Sequence, residues 1–319
     1  MRMSQLRKVV ASFVLFGCAC WSAAAATTAP EAEIATAATG AQPIETASSG
    51  EAGFVLTPQN QTPDPCAEGE VVSSPSRPYW DAGAATTQCG ILETDFGWLG
   101  QPMGDGIKQW MLVSSVRYGL TPKMDLRWGV IAHISQSGGG GETLHGTGDQ
   151  CVDVTYRFHE QGRRTPAMAI GYGLKIPVAD PDKGFGSGRA DDQVAFIASR
   201  DLGGVHLDFD IVGTVTDEAE GHDGSAQFGL ALTRQMTHKL AWILESYGGP
   251  QPGTEDRYGA ALTGVSYSLK SWLVLDGAYV KSYTAGSPRQ QIIFGITHSM
   301  RPKFGPLPRG SRFARLLGR

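Results

Sequence analysis

Residues 205–211 have the sequence VHLDFDI, and this stretch decides the class of fold. Its odd-numbered positions are all apolar, and its even-numbered positions are one histidine and two aspartates. Successive side chains of a β-strand point to opposite faces of the sheet. The alternation therefore predicts a strand with one apolar face and one charged face.

The same period of two recurs along most of the chain after residue 90. Residues 152–158, VDVTYRF, repeat it, and about twelve segments of roughly ten residues follow the pattern between Gly, Pro, Asp and Ser. They lie near 91–98, 108–119, 124–135, 150–160, 166–177, 191–201, 204–215, 225–235, 238–248, 257–268, 271–282 and 290–300. Loops are predicted over 135–149, 178–190 and 216–224, in alternation with tight turns such as 120–123.

Alternation alone does not separate a membrane barrel from a soluble β-sandwich, which has the same period. The segment length favours the barrel, because a tilted strand needs about 9–11 residues to cross a bilayer, whereas soluble strands average about five or six. Aromatic residues near segment ends suit an interfacial girdle. They are Trp110, Tyr118, Tyr172, Tyr247, Tyr258, Tyr267 and Tyr279. We predict an all-β fold, an antiparallel up-and-down transmembrane β-barrel of about twelve strands.

The chain divides into four parts. Residues 1–26 combine a basic start, a short apolar run and small residues, which predicts a signal peptide and export to the outer membrane of a Gram-negative bacterium. Residues 27–90 are rich in Ala, Thr, Pro, Ser and Glu without an apolar period, which predicts a largely disordered lead-in. Residues 91–300 form the predicted barrel, and residues 301–319 a basic C-terminal tail.

Three cysteines lie outside the predicted signal peptide. Export permits a disulfide. The favoured pair is Cys66 and Cys89, which flank one loop-like region, and this pairing does not involve Cys151.

Charge and missing motifs exclude several function classes. The net charge of −4 argues against a nucleic-acid partner. No GxSxG elbow occurs and no CxxC spacing lies beyond the signal peptide, so we predict no enzyme, no cofactor and no metal site.

Charged residues on the polar face of the strands are candidates to line the lumen. They are Arg117, Asp125, Arg127, Asp153, Arg157, Lys175, Asp208, Asp210, Glu245 and Asp276. Two interpretations stay open for this set. Rings of charge can bias which solute passes a channel. Equally, charges of both signs can form salt bridges that only brace the wall of the barrel.

Several motifs in order resemble a known family. Residues 117–126 have the sequence RYGLTPKMDL, Gly148-Asp149 precedes the VDVTYRF strand, and LDG at 275–277 and FGIT at 294–297 follow. Together they resemble the outer-membrane transporter family named for the MetA pathway of phenol degradation, over about residues 91–300. The resemblance implies a β-barrel that takes up phenolic or other hydrophobic compounds, without catalytic residues to transfer. The chain departs from the pattern in its long lead-in and in a last strand that ends at Met300, not at a terminal Phe.

The expected function is passage of small hydrophobic or aromatic solutes by diffusion through an outer-membrane channel. Expected partners are outer-membrane lipid, the solute and the barrel-assembly machinery. Two alternatives remain open at this point. One is a structural or adhesive surface barrel that conducts nothing, and the other is an exported soluble β-sandwich that binds ligands.

Overall fold

The computed structural model describes Cys66 and residues 69–80, 82–104, 106–218, 221–250, 257–284 and 288–302. Within these ranges the chain forms one sheet of 13 antiparallel strands. They are β1 (Leu92–Gly104), β2 (Ile107–Thr121), β3 (Met124–Ser137), β4 (Leu144–Gly146), β5 (Gln150–His159), β6 (Ala167–Ile176), β7 (Asp191–Leu202), β8 (Val205–Glu218), β9 (Gly221–Gln235), β10 (Leu240–Pro250), β11 (Arg257–Lys270), β12 (Leu273–Ser282) and β13 (Gln290–Met300). The predicted signal peptide and residues 303–319 lie outside the described residues.

The sheet closes on itself into an up-and-down barrel. Strand β1 pairs with β2 on one side and with β13 on the other, and β2–β3 pairing completes the circle. Strand β4 is a short addition that pairs with the end of β3. The predicted barrel of about twelve strands is therefore confirmed, and the soluble β-sandwich is not the fold of this chain. No helix of the described residues is long and apolar enough to span a membrane.

Each of the twelve predicted segments corresponds to one barrel strand, with two differences in extent. Strand β1 continues to Gly104, beyond its predicted end near residue 98. The loop predicted over 216–224 is wrong, because β8 reaches Glu218 and β9 begins at Gly221. Acidic residues and glycines there suggested a loop, but backbone hydrogen bonds extend the hairpin whatever the polarity of its side chains.

The distribution of polarity is the reverse of that in a soluble protein. Trp98, Leu230 and Phe294 on the outer face are each more than half exposed, at 54%, 54% and 57%. Glu93 and Asp210 on the inner face are 1% and 0% exposed. A continuous apolar exterior of this extent suits contact with lipid, and the polar interior suits a lumen.

Two tyrosines of the predicted aromatic girdle lie in the interior instead. Trp110, Tyr172 and Tyr279 are exposed on the outer face, as a girdle requires. Tyr247 and Tyr258 are only 3% and 2% exposed and pack inside the barrel. Tyrosine combines an apolar ring with a polar hydroxyl, so it fits either face and its type alone does not fix its direction.

Two ends of the barrel can be distinguished by their connections. At the terminal end, β1 begins at Leu92, β13 ends at Met300, and the turns between strands, such as 203–204, are short. At the loop end lie the longer connections 138–149 and 177–190. The partition agrees with the long loops predicted over 135–149 and 178–190, whereas the connections 105–106 and 219–220 at the same end are short.

Candidate functional site

The structure places all ten predicted lumen-lining charges on the inner face. Eight of them are buried, and Arg127 and Asp153 are half-buried. Period two was sufficient to find them, because a single inward position in a strand fixes every second residue. The same rule applied to β1 would also have found Glu93 and Asp95, which are buried there between outward-facing neighbours.

Salt bridges between neighbouring strands involve the inward cations. Arg127 Nε on β3 lies 3.0 Å from Asp153 Oδ2 on β5. Arg117 contacts Glu93, and Lys175 contacts Asp191, each across one strand boundary. Arg157 pairs with Glu160 at 3.2 Å at the start of the turn after β5. The three pairs between strands brace the wall, which supports the bracing interpretation for Arg117, Arg127 and Lys175. The Arg157 pair lies within one connection and joins no two strands.

Residues 69–80 and 82–90, called here the lumenal segment, lie inside the barrel. Wall carboxylates accept hydrogen bonds from its backbone N–H groups: Ser74 N donates to Glu93 (2.7 Å) and Ala82 N to Asp210 (3.1 Å). Trp80 N donates to both carboxylate oxygens of Glu245, each at 2.9 Å. Further along, Thr87 N donates to Asp125 (2.7 Å) and Ala84 N to Ser199 Oγ (2.7 Å). The segment thus spans the lumen and touches strands on every side of it.

The prediction of a largely disordered lead-in over 27–90 does not describe this part of the chain. Its composition cannot bury enough apolar surface to order itself in isolation. Here the barrel wall supplies the hydrogen-bond partners, and those partners lie far away in the sequence, such as Ser299 beside Ser73 at 2.8 Å between their hydroxyl oxygens. The sequence did contain one indication of this. Six of the ten predicted inward charges are acidic and four are basic, and buried carboxylates need hydrogen-bond donors that the four bases alone do not supply.

The aromatic tip of the lumenal segment, Tyr79 and Trp80, packs against the middle of the wall. The Trp80 ring stacks on Tyr247, and Tyr79 Oη lies 2.7 Å from Thr233 Oγ1. Both tip residues pack on a buried apolar cluster of the wall. Its members are Ile243, Tyr247, Tyr258, Ala260, Leu262, Val280 and Ile293. The tip therefore fills the apolar part of the lumen.

A disulfide joins the two stems of the lumenal segment at the terminal end. Cys66 and Cys89, the pair favoured from the sequence, are bonded and 23 residues apart. The backbone of Cys89 also pairs with that of Gly119, beside the β2–β3 turn, as an isolated β-bridge. The bond thus encloses residues 67–88, which include almost the whole of the lumenal segment.

At the loop end, residues 177–190 fold inward over the lumen. Phe185 is completely buried and packs with Ala179 on Met111, Ile131 and Ile134 of the wall. Asp149, just before β5, accepts a hydrogen bond from Ala179 N at 3.0 Å. Burial raises the pKa of the Asp149 carboxyl, while that hydrogen bond acts in the opposite direction. The loop covers the lumen opposite the lumenal segment.

Glutamine side chains form a hydrogen-bonded chain on the wall nearer the loop end. Gln291 donates to Gln101 (2.9 Å), Gln101 to Gln109 (2.8 Å), and Gln109 to Gln136 (3.2 Å). The chain crosses β13, β1, β2 and β3. Sequence reasoning focused on charges and missed it. This part of the wall is polar but uncharged.

His206, the histidine of the VHLDFDI stretch, lies on the inner face between two aspartates. His206 hydrogen-bonds through Nδ1 to Asp201 (2.7 Å) and through Nε2 to Asp208 (3.1 Å). In the part of the chain that the structure describes, no group of three or more His, Cys, Asp or Glu could hold a metal ion. His133 on β3 is exposed and Ile134 is buried, because the register of β2 and β3 shifts between Leu112 and Val113 and interrupts the alternation of β3.

One solved structure with the same architecture is an outer-membrane channel. The COG4313 outer membrane channel from Pseudomonas putida F1 is 11% identical, with a TM-score of 0.55 over 72% of this chain and 100% of that chain. The KdgM porin is 10% identical, with a TM-score of 0.45 over 65% of this chain and 99% of that chain. At such identities the likeness shows the fold alone. No family model and no curated protein matches the chain, so the family resemblance stays a prediction.

Proposed function

We propose that this protein is an outer-membrane channel for small solutes, closed in the observed conformation by its lumenal segment. The apolar exterior and polar interior of the barrel support insertion in the outer membrane of a Gram-negative bacterium, with lipid and the barrel-assembly machinery as partners. A barrel of twelve strands leaves an interior that side chains of the wall alone do not fill. In this chain the lumenal segment and the 177–190 loop occupy that interior.

The observation that carries the proposal is how the lumenal segment is held. Between Ser74 and Thr87 the backbone N–H groups of the segment donate to side chains of the wall. The wall backbone is reached there by side chains of the segment, since Arg77 donates to the Phe294 carbonyl and Thr86 to the Pro122 carbonyl. Backbone bonds to the wall occur at its stems, from Ser73 to Ser271 and between Gly90 and Gly119. The segment can therefore leave the lumen without breaking any strand pairing of the barrel. Such an element is suited to open and close a pathway.

The finer proposal is that the solutes are hydrophobic or aromatic. The apolar cluster beneath Tyr79 and Trp80 supports it, because removal of the tip would expose Ile243, Tyr247 and Leu262 to the lumen. An apolar or aromatic solute could then pack where the Trp80 ring packs now. The charged residues nearer the terminal end would act on the approach of the solute to this patch.

Conductance of the purified full-length chain in planar bilayers tests the proposal. Heat-modifiability on a detergent gel first establishes that each sample is folded. Deletion of residues 74–86 is expected to raise the conductance strongly over that of the unmodified chain. Deletion of residues 30–50, which precede Cys66, serves as the control and should leave the conductance unchanged. A folded 74–86 deletion with no conductance would contradict the channel.

That contradictory result would instead favour a non-conducting surface barrel. A specific observation supports this second candidate, since the lumen is occupied from both ends, by Trp80 on one side and Phe185 on the other. In such a barrel the lumenal segment would be a core that only stabilises the fold. Its deletion would then lower thermal stability without opening a pathway.

A further inference from the structure

The guanidinium group of Arg77 in the lumenal segment lies in a notch of the barrel wall. Its Nη2 donates a hydrogen bond to the Phe294 carbonyl oxygen at 3.2 Å. Its Nε lies 3.8 Å from Asp276 Oδ2. Three elements therefore meet at this group: the lumenal segment, β12 and β13.

Two glycines that pair across neighbouring strands form the floor of the notch. Gly97 on β1 is directly opposite Gly295 on β13. A Cβ atom at Gly97 would lie 2.0 Å from Arg77 Cζ, and one at Gly295 would lie 2.5 Å from Arg77 Nε. Both distances are far below van der Waals contact. The space that two missing side chains leave is thus filled by the planar group.

Asp276 supplies the charge complementary to this shape. Its side chain is 0% exposed, and neither of its carboxylate oxygens has a hydrogen-bond partner among the described residues. A buried carboxylate without donors is unfavourable unless a cation compensates it. Arg77 is the cation that the structure brings to it. Asp276 therefore needs a hydrogen-bond donor, and Arg77 Nε at 3.8 Å compensates its charge without donating a hydrogen bond to it.

We propose that Gly97, Gly295, Asp276 and the Phe294 carbonyl form a binding subsite for a guanidinium group, occupied here by the chain's own Arg77. The inference rests on the proposed function in one respect, that the lumenal segment can leave the lumen. When it leaves, a solute that carries a guanidinium group takes the vacated notch. A guanidinium group is planar and has several donors, so it fits the flat floor and can donate to the carboxylate at the same time. A compact ammonium ion leaves part of the floor empty and has no planar fork of donors.

Binding of methylguanidinium to a variant with an empty notch tests this subsite. Arg77→Ala removes the resident group and leaves the wall unchanged. We expect a saturable rise of the heat-modifiability midpoint temperature when this variant is titrated with methylguanidinium at millimolar concentration. Methylammonium has the same charge without the planar fork, so we expect its apparent Kd to be at least about tenfold weaker.

Two further variants make the result specific to the notch. Arg77→Ala combined with Gly97→Ala fills the floor with a methyl group, because the atoms nearest to a Cβ at Gly97 all belong to Arg77. Arg77→Ala combined with Asp276→Asn removes the charge. Both should abolish the response to methylguanidinium. The unmodified chain should also lack it, because Arg77 occupies the notch. Arg77→Lys controls for general effects of the position on folding.

The possible outcomes separate the subsite from the channel. Equal responses to methylguanidinium and methylammonium, or an unchanged response after Gly97→Ala in the Arg77→Ala background, would overturn the subsite. Planar-bilayer conductance of the same samples reports on the channel independently. Specific binding to a folded Arg77→Ala variant that never conducts would leave the subsite standing and refute the channel.

Discussion

The indole ring of Trp80 lies parallel to the phenol ring of Tyr247, with ring centroids 4.8 Å apart and an interplanar angle of 1°. Trp80 belongs to the lumenal segment, and Tyr247 belongs to β10 of the wall, far later in the chain. The stack is thus a contact between the element that fills the lumen and the wall that surrounds it. Removal of the Trp80 ring should therefore weaken closure of the lumen more than it weakens the stability of the barrel.

Trp80→Ala is expected to increase the time that the channel spends open. Trp80 is partly buried, and loss of its stacked ring costs about 2 kcal/mol, which corresponds to roughly a thirtyfold change in the open population. Single-channel recording in planar bilayers measures it. Trp98→Ala is the control, because Trp98 is exposed on the outer face and touches no part of the lumen. Equal open times for both variants would argue against a closing role for Trp80.

Glu245→Gln should loosen the same tip by weakening its backbone anchor. Trp80 N donates to both oxygens of the buried carboxylate, and a hydrogen bond to a charged acceptor contributes about 1.5–3 kcal/mol. We expect faster proteolytic cleavage within residues 74–86 in detergent-solubilised protein. Glu142→Gln, in an exposed loop, should leave the cleavage rate as it is. Unchanged cleavage of the Glu245 variant would show that its carboxylate does not hold the segment.

Gly97→Ala should destabilise the closed form through its contact with Arg77. The added methyl group would overlap the guanidinium, and overpacking in a tight interior costs about 1–3 kcal/mol. Thermal midpoints from heat-modifiability measure the loss. Gly213→Ala is the matched control, since the nearest atom to its Cβ is at 3.9 Å. Adding Arg77→Ala to Gly97→Ala should relieve most of the loss, and additive losses would place the overlap elsewhere.

Asp153→Asn distinguishes the two interpretations of the inward charges. Arg127 would lose the carboxylate at 3.0 Å, although both side chains keep a little exposure that softens the effect. If the pair only braces the wall, the thermal midpoint falls while the ion selectivity of the open channel stays the same. Reversal potentials in asymmetric salt, measured with residues 74–86 deleted, give the selectivity. A shifted reversal potential would assign the pair to the selectivity lining.

The sequence predicted the barrel well and its contents poorly, for a physical reason. The alternation of apolar and polar residues within one strand shows which side chains point inward. Asp153, Asp208 and Glu245 could therefore be placed without knowing which strands lie beside theirs. The order of residues 69–90 has no such local record. It depends on Glu93, Asp125 and other acids that come together only after the barrel closes. Interactions of this kind are invisible to composition, which describes a segment on its own.

The acidic composition of residues 216–224 wrongly predicted a loop between β8 and β9. Acidic residues and glycines over 216–224 are typical of a loop, yet the hairpin continues there beyond the apolar band of the outer face. Backbone pairing does not require apolar side chains. Strand ends in a barrel are therefore harder to predict than strand centres.

The Cys66–Cys89 bond turns the lumenal segment into a hoop with no loose end. A linear tail can withdraw from a pore lengthwise, one residue after another. A hoop cannot thread in this way, so it has to tilt or swing as a single body about the two stems at the terminal end. Gating by such an element would be all-or-none instead of graded. The pathway would open on the side of the lumen opposite the point where the hoop is attached to the barrel.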